Sequence, residues 1–511
     1  MILRVRYSFK MALLTLYWSL DGILILSFLV VTAYLFVTRK FNYWSKRGVK
    51  ELPPTPFLGN FMDCLLSRKS GSEFLRDLYD YGRGSPFLGF YVFDKPQLLI
   101  RDPELVKHVL VKDFDYFPDR YATADEKNDR FGYANVVLMK NPGWKSLRPK
   151  LTPILTPGKL KTMFDLIHVI GNLISVSGDG KVVEFKEISA NFTTDMIGSI
   201  VFGLKLGVLE NPKTPFREYS RKIFQANFHR NMELLIISFS PQLVKYLKPK
   251  FFGIEATNFF RSVFWNVIEQ RVDSGLKRND LIDVLIEMRK TYKNDESLKD
   301  YMAQAIVFLT AGSETSATVI SFTLHELALN PDIQKTLRAE IHDALEKTGG
   351  KITYDMITTL PYLDMVISET LRKYPSVAHL DRVTLADYKV PNSDLVIEKG
   401  TPIFISTMGL HNDSRYFPNP EKYDPLRFTE EAKSTRPSSA YLPFGGGPRG
   451  CIGMRLGLMQ SKLGIVQILK DYEVSPCEKT KMLVALDPKI IITTCNFRRT
   501  PAWGFNSLAT V

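Results

Sequence analysis

PFGGGPRGCIGMRLG, residues 443–457, surrounds one cysteine with six glycines and puts an arginine two positions before it. A cysteine in such a loop can be a nucleophile, a redox sensor or a metal ligand. A nucleophile needs a base, and no histidine neighbours Cys451 in the sequence, although one can come from elsewhere in a fold. Ligation makes more use of the surroundings. Gly445, Gly446 and Gly447 allow a tight turn that points backbone N–H groups at a thiolate and lets a flat cofactor approach the main chain. Arg449 can then pair with an anionic group on that cofactor.

Three distant stretches bear on the choice. ETLR sets Glu369 and Arg372 at i and i+3 on one helix face, a spacing equally suited to a surface ion pair or a salt-bridged core site. LTAGSETSA, 309–317, lies inside a helical pattern running from 297 to 329. Ala311 and Gly312 strip bulk from one turn there, at a cost of about 1 kcal/mol for the glycine. Close helix packing is one reason for that; a groove beside Glu314 and Thr315, an acid and a hydroxyl able to hold water and pass protons, is the other. GWKSLR puts Trp144 and Arg148 at i and i+4, either as a cation–π pair or as two donors aimed at one anion.

Phe444, Gly447, Arg449, Cys451 and Gly453 meet the pattern F-x-x-G-x-R-x-C-x-G, and here the chain resembles the cytochrome P450 family, with all four motifs in that family's order over roughly residues 50 to 500. The likeness is to microsomal members, the insect detoxification subfamily among them. It implies that Cys451 ligates the iron of haem, that Phe444, Gly447, Gly453 and Gly312 border the cofactor, and that Arg449, Trp144, Arg148 and Arg382 serve its propionates. It implies a structural triad of Glu369, Arg372 and Arg427, the last in YDPLRF, where Leu426 stands in place of the family's usual glutamate. Thr315 and Glu314 become the catalytic proton-handling pair. Phe117, Phe131, Phe308, Val377 and Leu380 line the substrate pocket by family position.

The same resemblance implies a haem-thiolate monooxygenase: one oxygen atom of O2 enters a lipophilic small molecule, a xenobiotic or an endogenous lipid or hormone-like compound. NADPH supplies electrons through NADPH–cytochrome P450 reductase, and cytochrome b5 is a second candidate donor. Lys140, Lys145 and Arg455 are the cations expected to face the acidic reductase. Two other readings share the haem: a ligand sensor without turnover, and a peroxide isomerase that needs no reductase.

The bulk of the sequence agrees with an enzyme on a membrane. Residues 13–37 are apolar but for Asp21, long enough to span a bilayer as a helix, with Trp18, Tyr34, Tyr43 and Trp44 suited to the headgroup zones. Arg39, Lys40, Lys46, Arg47 and Lys50 follow, against Arg4, Arg6 and Lys10 before; translation from Met11 sharpens that bias. The positive-inside rule then leaves the domain in the cytosol, on an endoplasmic reticulum membrane by the family likeness. The division is 1–50 as anchor and basic flank, then 51–511 as catalytic domain, joined by the stiff LPPTPFLG. The net charge of +13 suits anionic lipid or an acidic protein partner; the basic residues form no long stripe, so no nucleic-acid partner is expected. Four cysteines, no C-x-x-C and no H-E-x-x-H exclude a disulfide scaffold and argue against zinc. Residues 86–100 and 388–406 each read as a strand pair, and 101–111 as a helix with Asp102 as cap and Pro103 at its first position. Long helical patterns at 297–329, 332–346 and 361–374 lie between the strand pairs; so few and so clustered strands predict a mainly α fold with a small β portion. The segment 241–260, basic and aromatic, reads either as a second membrane-dipping surface or as an ordinary amphipathic helix.

Overall fold

A computed structural model describes residues 17–164, 182–223, 227–291, 302–478, 480 and 508–510. The basic residues before the span, Met11 and Cys495 lie outside them. The fold is mainly helical, as expected. Its longer helices are α1 (Trp18–Thr38), α2 (Gly71–Tyr81), α3 (Gly143–Leu151), α4 (Phe185–Phe202), α5 (Pro215–Ile223), α6 (Phe228–Phe239), α7 (Ile254–Ser274), α8 (Leu281–Thr291), α9 (Met302–Leu329), α10 (Pro331–Lys347), α11 (Pro361–Lys373) and α12 (Met454–Leu469).

Two of these are long and apolar enough to cross a membrane, and burial separates them. The side chains of α1 are almost all exposed, from Trp18 to Phe36, which suits lipid. By contrast α9 is buried over most of its length and forms the axis of the globular part, with α4, α12 and α11 packed around it. Short, bare or hydroxylated residues permit this closeness. A Cβ on Gly464 of α12 would come within 2.8 Å of Ile320 and 3.1 Å of Phe192.

The sheet portion stands to one side. β1 (Phe87–Val92) and β2 (Lys95–Ile100) form the expected pair of strands around a turn. The rest of the sheet comes from far along the chain. β7 (Pro402–Ser406) pairs parallel with β2, and β4 (His379–Val383) closes the edge antiparallel to β7, in the order β1-β2-β7-β4. The expected strand pair over 388–406 is therefore split. Only Tyr388–Lys389 (β5) and Val396–Ile397 (β6) pair locally, and β3 (Val182–Glu184) belongs to a separate small sheet. β4 escaped notice because HLDRV is polar, and a strand next to a charged site does not alternate cleanly.

Candidate active site

The cysteine loop is closed by its own backbone. Cys451 N–H donates to the Phe444 carbonyl at 2.8 Å and Gly450 N–H to the Gly447 carbonyl at 2.9 Å. Gly445 and Gly447 hold φ of +71° and +67°, where a side chain is strained. Gly447 has a second reason to be bare. A Cβ there would stand 1.8 Å from the Leu110 carbonyl oxygen, in the π-helical turn His108–Lys112. That glycine thus serves a close approach of two backbones. The hydrogen bond to the Cys451 sulfur comes instead from Gly453 N–H, at the start of α12.

Cys451 keeps exposed surface, yet protein surrounds it closely enough that burial pushes its thiol up; the Gly453 N–H and the positive charges of Arg148 and Arg120 act against that. An exposed atom in such a setting lines an internal recess. A second uncovered patch lies on α9: Ala311 is exposed and Gly312 and Thr315 half-exposed, although residues 302–310 and 316–328 are buried. The two patches sit on packed elements, with the Ser316 hydroxyl 3.6 Å from where a Gly457 Cβ would be.

Around the recess the cations gather. Arg148 on α3 donates to the Gly450 carbonyl at 2.8 Å, while Trp144 one turn earlier lies under the Arg449 guanidinium, 4.1 Å from it. Arg449 donates through Nε to the Pro118 carbonyl at 2.6 Å and through Nη2 to Asp119 at 3.1 Å. Arg382 on β4 donates to the Asp381 carbonyl at 2.7 Å. Arg120, which sequence reasoning passed over, pairs with Asp381 at 3.1 Å. Burial lowers Arg449 to about 10 and Arg382 to about 9, with Arg120 adding repulsion to both. Burial alone would raise Asp381, but Arg120 and the Ala122 N–H outweigh it and bring it to about 2.

Three of these four guanidiniums keep a buried N–H without a protein acceptor: Nη1 of Arg449, Nε of Arg382 and Nε of Arg120. Leaving three charged donors unmet costs far more than one misplaced neutral group. A group that brings carboxylates to this edge, and a flat body between the thiol and the bare turn of α9, satisfies them. The residues present therefore fit haem.

Other expected residues fall elsewhere. Glu314 turns away from Thr315 towards α4, where its carboxylate meets the buried ammonium of Lys186. The Thr315 hydroxyl donates to the Ala311 carbonyl at 2.6 Å. Gly312 has a packing reason, since a Cβ would sit 2.5 Å from Ile197 of α4. Phe117 is fully buried on the sheet side, its ring 4.8 Å from Tyr388, and has no surface to offer a substrate. Phe131 is half-buried near Arg261 of α7, Phe308 is buried on α9, and Val377 is exposed. Leu380 lies 3.7 Å from the Cβ position of Gly445, beside the cysteine loop. Lys140 requires a correction as a surface docking cation. Its ammonium is sunk against the carbonyls of Arg120, Tyr121 and Ala122, and burial lowers it to about 8. Lys145 and Arg455 are exposed.

Behind the loop, Glu369 and Arg372 on α11 are both fully buried and form a bidentate pair at 2.7 and 2.9 Å. Arg427 approaches the same carboxylate at 3.4 Å, and Asp424 N–H donates to it at 3.0 Å. Arg372 also donates to the carbonyls of His411 at 3.0 Å and Pro420 at 2.6 Å, tying α11 to the stretch that leads into the cysteine loop.

A family model described as cytochrome P450 matches residues 50–497. The chain belongs to the cytochrome P450 family and is a haem-thiolate monooxygenase, using haem and O2. Insect proteins are among its relatives. Cytochrome P450 6k1 of Blattella germanica is 42% identical over 501 residues, covering 93% of this chain and 95% of its own. Cytochrome P450 6j1 of the same species is 40% identical over 464 residues, covering 90% and 92%. Probable cytochrome P450 6g2 of Drosophila melanogaster is 38% identical over 497 residues, covering 92% and 96%.

Proposed function

We propose that this chain oxidises lipophilic small molecules, xenobiotics before endogenous lipids, with electrons from NADPH delivered by a flavoprotein reductase at the cytosolic face of the endoplasmic reticulum. The observation that carries the chemistry is the uncovered Cys451 thiol with a Gly453 N–H on its sulfur and orphaned guanidinium donors beside it. When bound, haem supplies dioxygen activation, which a thiolate ligand favours by donating electron density. The chain does the rest. Cys451 acts as thiolate, held by Gly453 N–H and by the charges of Arg148 and Arg120. Arg449, Arg382, Arg120 and Arg148 fix the carboxylate edge.

On the other wall the Thr315 hydroxyl donates to the Ala311 carbonyl, which leaves its half-exposed oxygen as an acceptor that can order a water in the recess. Glu314 is engaged with Lys186, and its part is to lock α9 against α4. The apolar walls, Phe308 and Leu380 among them, exclude water and select lipophilic substrates. The exposed helix α1, its basic flank and the exposed Tyr246, Leu247 and Ile254 support a membrane setting for such substrates.

A ferrous–CO difference spectrum tests the thiolate: Cys451→Ser should abolish the wild-type band. A panel of lipophilic compounds with NADPH and reductase then tests the activity. Product formation without NADPH would favour an isomerase. Thr315→Ala should consume NADPH with less product, and full coupling in that variant would remove Thr315 from proton handling.

A further inference from the structure

Lys250 and Phe251 lie between α6 and α7, outside any helix or strand, yet all four of their backbone polar groups are satisfied by side chains from elsewhere. Lys250 N–H donates to Glu233 at 3.0 Å and Phe251 N–H to Asp129 Oδ2 at 2.6 Å. Their carbonyls accept from Arg230, at 2.7 Å and 2.8 Å. Lys250 returns its ammonium to the Asn128 carbonyl. Such a segment is only as fixed as the side chains that hold it.

Asp129 is the member of this set that reaches across. Its other oxygen accepts Gly132 N–H at 3.2 Å and caps the short helix Arg130–Ala134. Gly132 is bare for the same reason: a Cβ would meet Asp129 Oδ2 at 2.1 Å and Phe251 Cβ at 2.8 Å. The stretch after that helix is fastened to α9 by Gln304, which donates to the Ala134 carbonyl at 2.7 Å and accepts from Val136 N–H at 2.9 Å. Gln304, Phe308, Ala311 and Thr315 follow i, i+4, i+7, i+11, one face of α9. Residues 129–136 are thus joined to Lys250–Phe251 on one side and to the open face of α9 on the other.

We infer that Asp129 is a positioning residue for substrate oxidation: by pinning Phe251 to the 130–134 helix it holds one continuous roof over the Phe308–Ala311–Thr315 face and limits entry to it. This rests on the haem reading of the recess. The carboxylate is buried with no catalytic group in contact, so it acts through Phe131 and Phe251. Asp129→Asn is the cleanest variant, because an amide keeps one acceptor and turns a donor on the other N–H.

The test uses the full chain loaded with haem, Asp129→Asn, Asp129→Ala, and Asp280→Asn as a control that cuts a buried pair with Arg271, between α7 and α8, away from the roof. Two readouts are taken: amide hydrogen exchange over 250–253, and the association rate of 1-phenylimidazole followed by its shift of the haem band. Both Asp129 variants should exchange about tenfold faster there and bind the azole several-fold faster, Ala more than Asn, while Asp280→Asn changes neither. Unchanged exchange overturns the pin. Faster exchange with an unchanged azole rate overturns its role over the recess. If Asp129→Ala does not fold, Asp129→Asn alone decides. A wild-type chain without any haem band or azole shift removes the haem reading and this role with it, while exchange still reports on the pin.

Discussion

The ammonium of Lys186 on α4 rests on the carboxylate of Glu314 at the midpoint of α9, and both side chains are buried. Lys186 also donates to Thr318 Oγ1 at 3.0 Å, one turn further along α9. A pair taken this far out of water gains little over apolar residues, but half of it is costly. Lys186→Met should destabilise the fold by about 3–5 kcal/mol, since Glu314 then stays charged and buried with only the more distant Arg217 to offset it. Lys186→Met with Glu314→Leu should recover most of the lost melting temperature. If the double variant melts no higher than Lys186→Met, the two residues are not coupled.

Glu369 and Arg372 lie deeper still, and there the geometry is planar and bidentate. Lysine cannot reproduce it. Arg372→Lys should lose the ferrous–CO band and the folded protein together, because the carbonyls of His411 and Pro420 lose their donor as well. Arg427 is largely buried as well, but it stands 3.4 Å from a carboxylate that Arg372 still pairs in its absence, so Arg427→Ala should cost less, about 1–3 kcal/mol, and retain the band. A stable, fully loaded Arg372→Lys would show that charge alone suffices.

How legible this was differs by residue. Local chemistry spoke plainly: Asp102 with Pro103 starts a helix, its carboxylate accepting from Leu105 N–H at 2.8 Å, and the ETLR spacing lies on one face of α11. What failed needed distance in the chain. Arg120 and Asp381 read separately as solvated charges, and only the fold brings them to 3.1 Å beside the site. Lys140 looked like surface for the same reason, because backbone carbonyls that swallow an ammonium leave no trace in composition. Phe117 seemed pocket-lining until Tyr388, 271 positions later, covered it.

Two buried histidines set a pH limit. Burial lowers His325 to about 4 and His411 to about 3, and His411 Nε2 accepts from Leu442 N–H at 2.8 Å, a bond that needs the neutral ring. The folded values lie below the ordinary 6.5, so the unfolded chain takes protons that the folded one refuses. Their stabilisation is whole above about pH 6.5 and falls as pH drops towards 4, by about 1.4 kcal/mol per pH unit from each. Melting temperatures at pH 7.5, 6 and 5 should decline, and His411→Gln should flatten the decline. Equal slopes in the two proteins would exclude His411 as a source.

Gly447 and Gly312 look alike in sequence and should answer differently to one methyl group. At Gly447 the added Cβ would lie 1.8 Å from the Leu110 carbonyl oxygen, in a backbone held at φ +67°. Neither the Cys451 loop nor the 108–112 turn can yield without breaking the Cys451–Phe444 hydrogen bond or its neighbours. At Gly312 the Cβ would meet Ile197 Cδ1 at 2.5 Å, the far end of a side chain that can change rotamer, and alanine gains about 1 kcal/mol in helix propensity. Gly447→Ala should therefore lose the thiolate band in the ferrous–CO spectrum, whereas Gly312→Ala should keep it with a melting temperature near wild type. Loss of the band in Gly312→Ala would mean that this glycine is bare for the recess and not for α4.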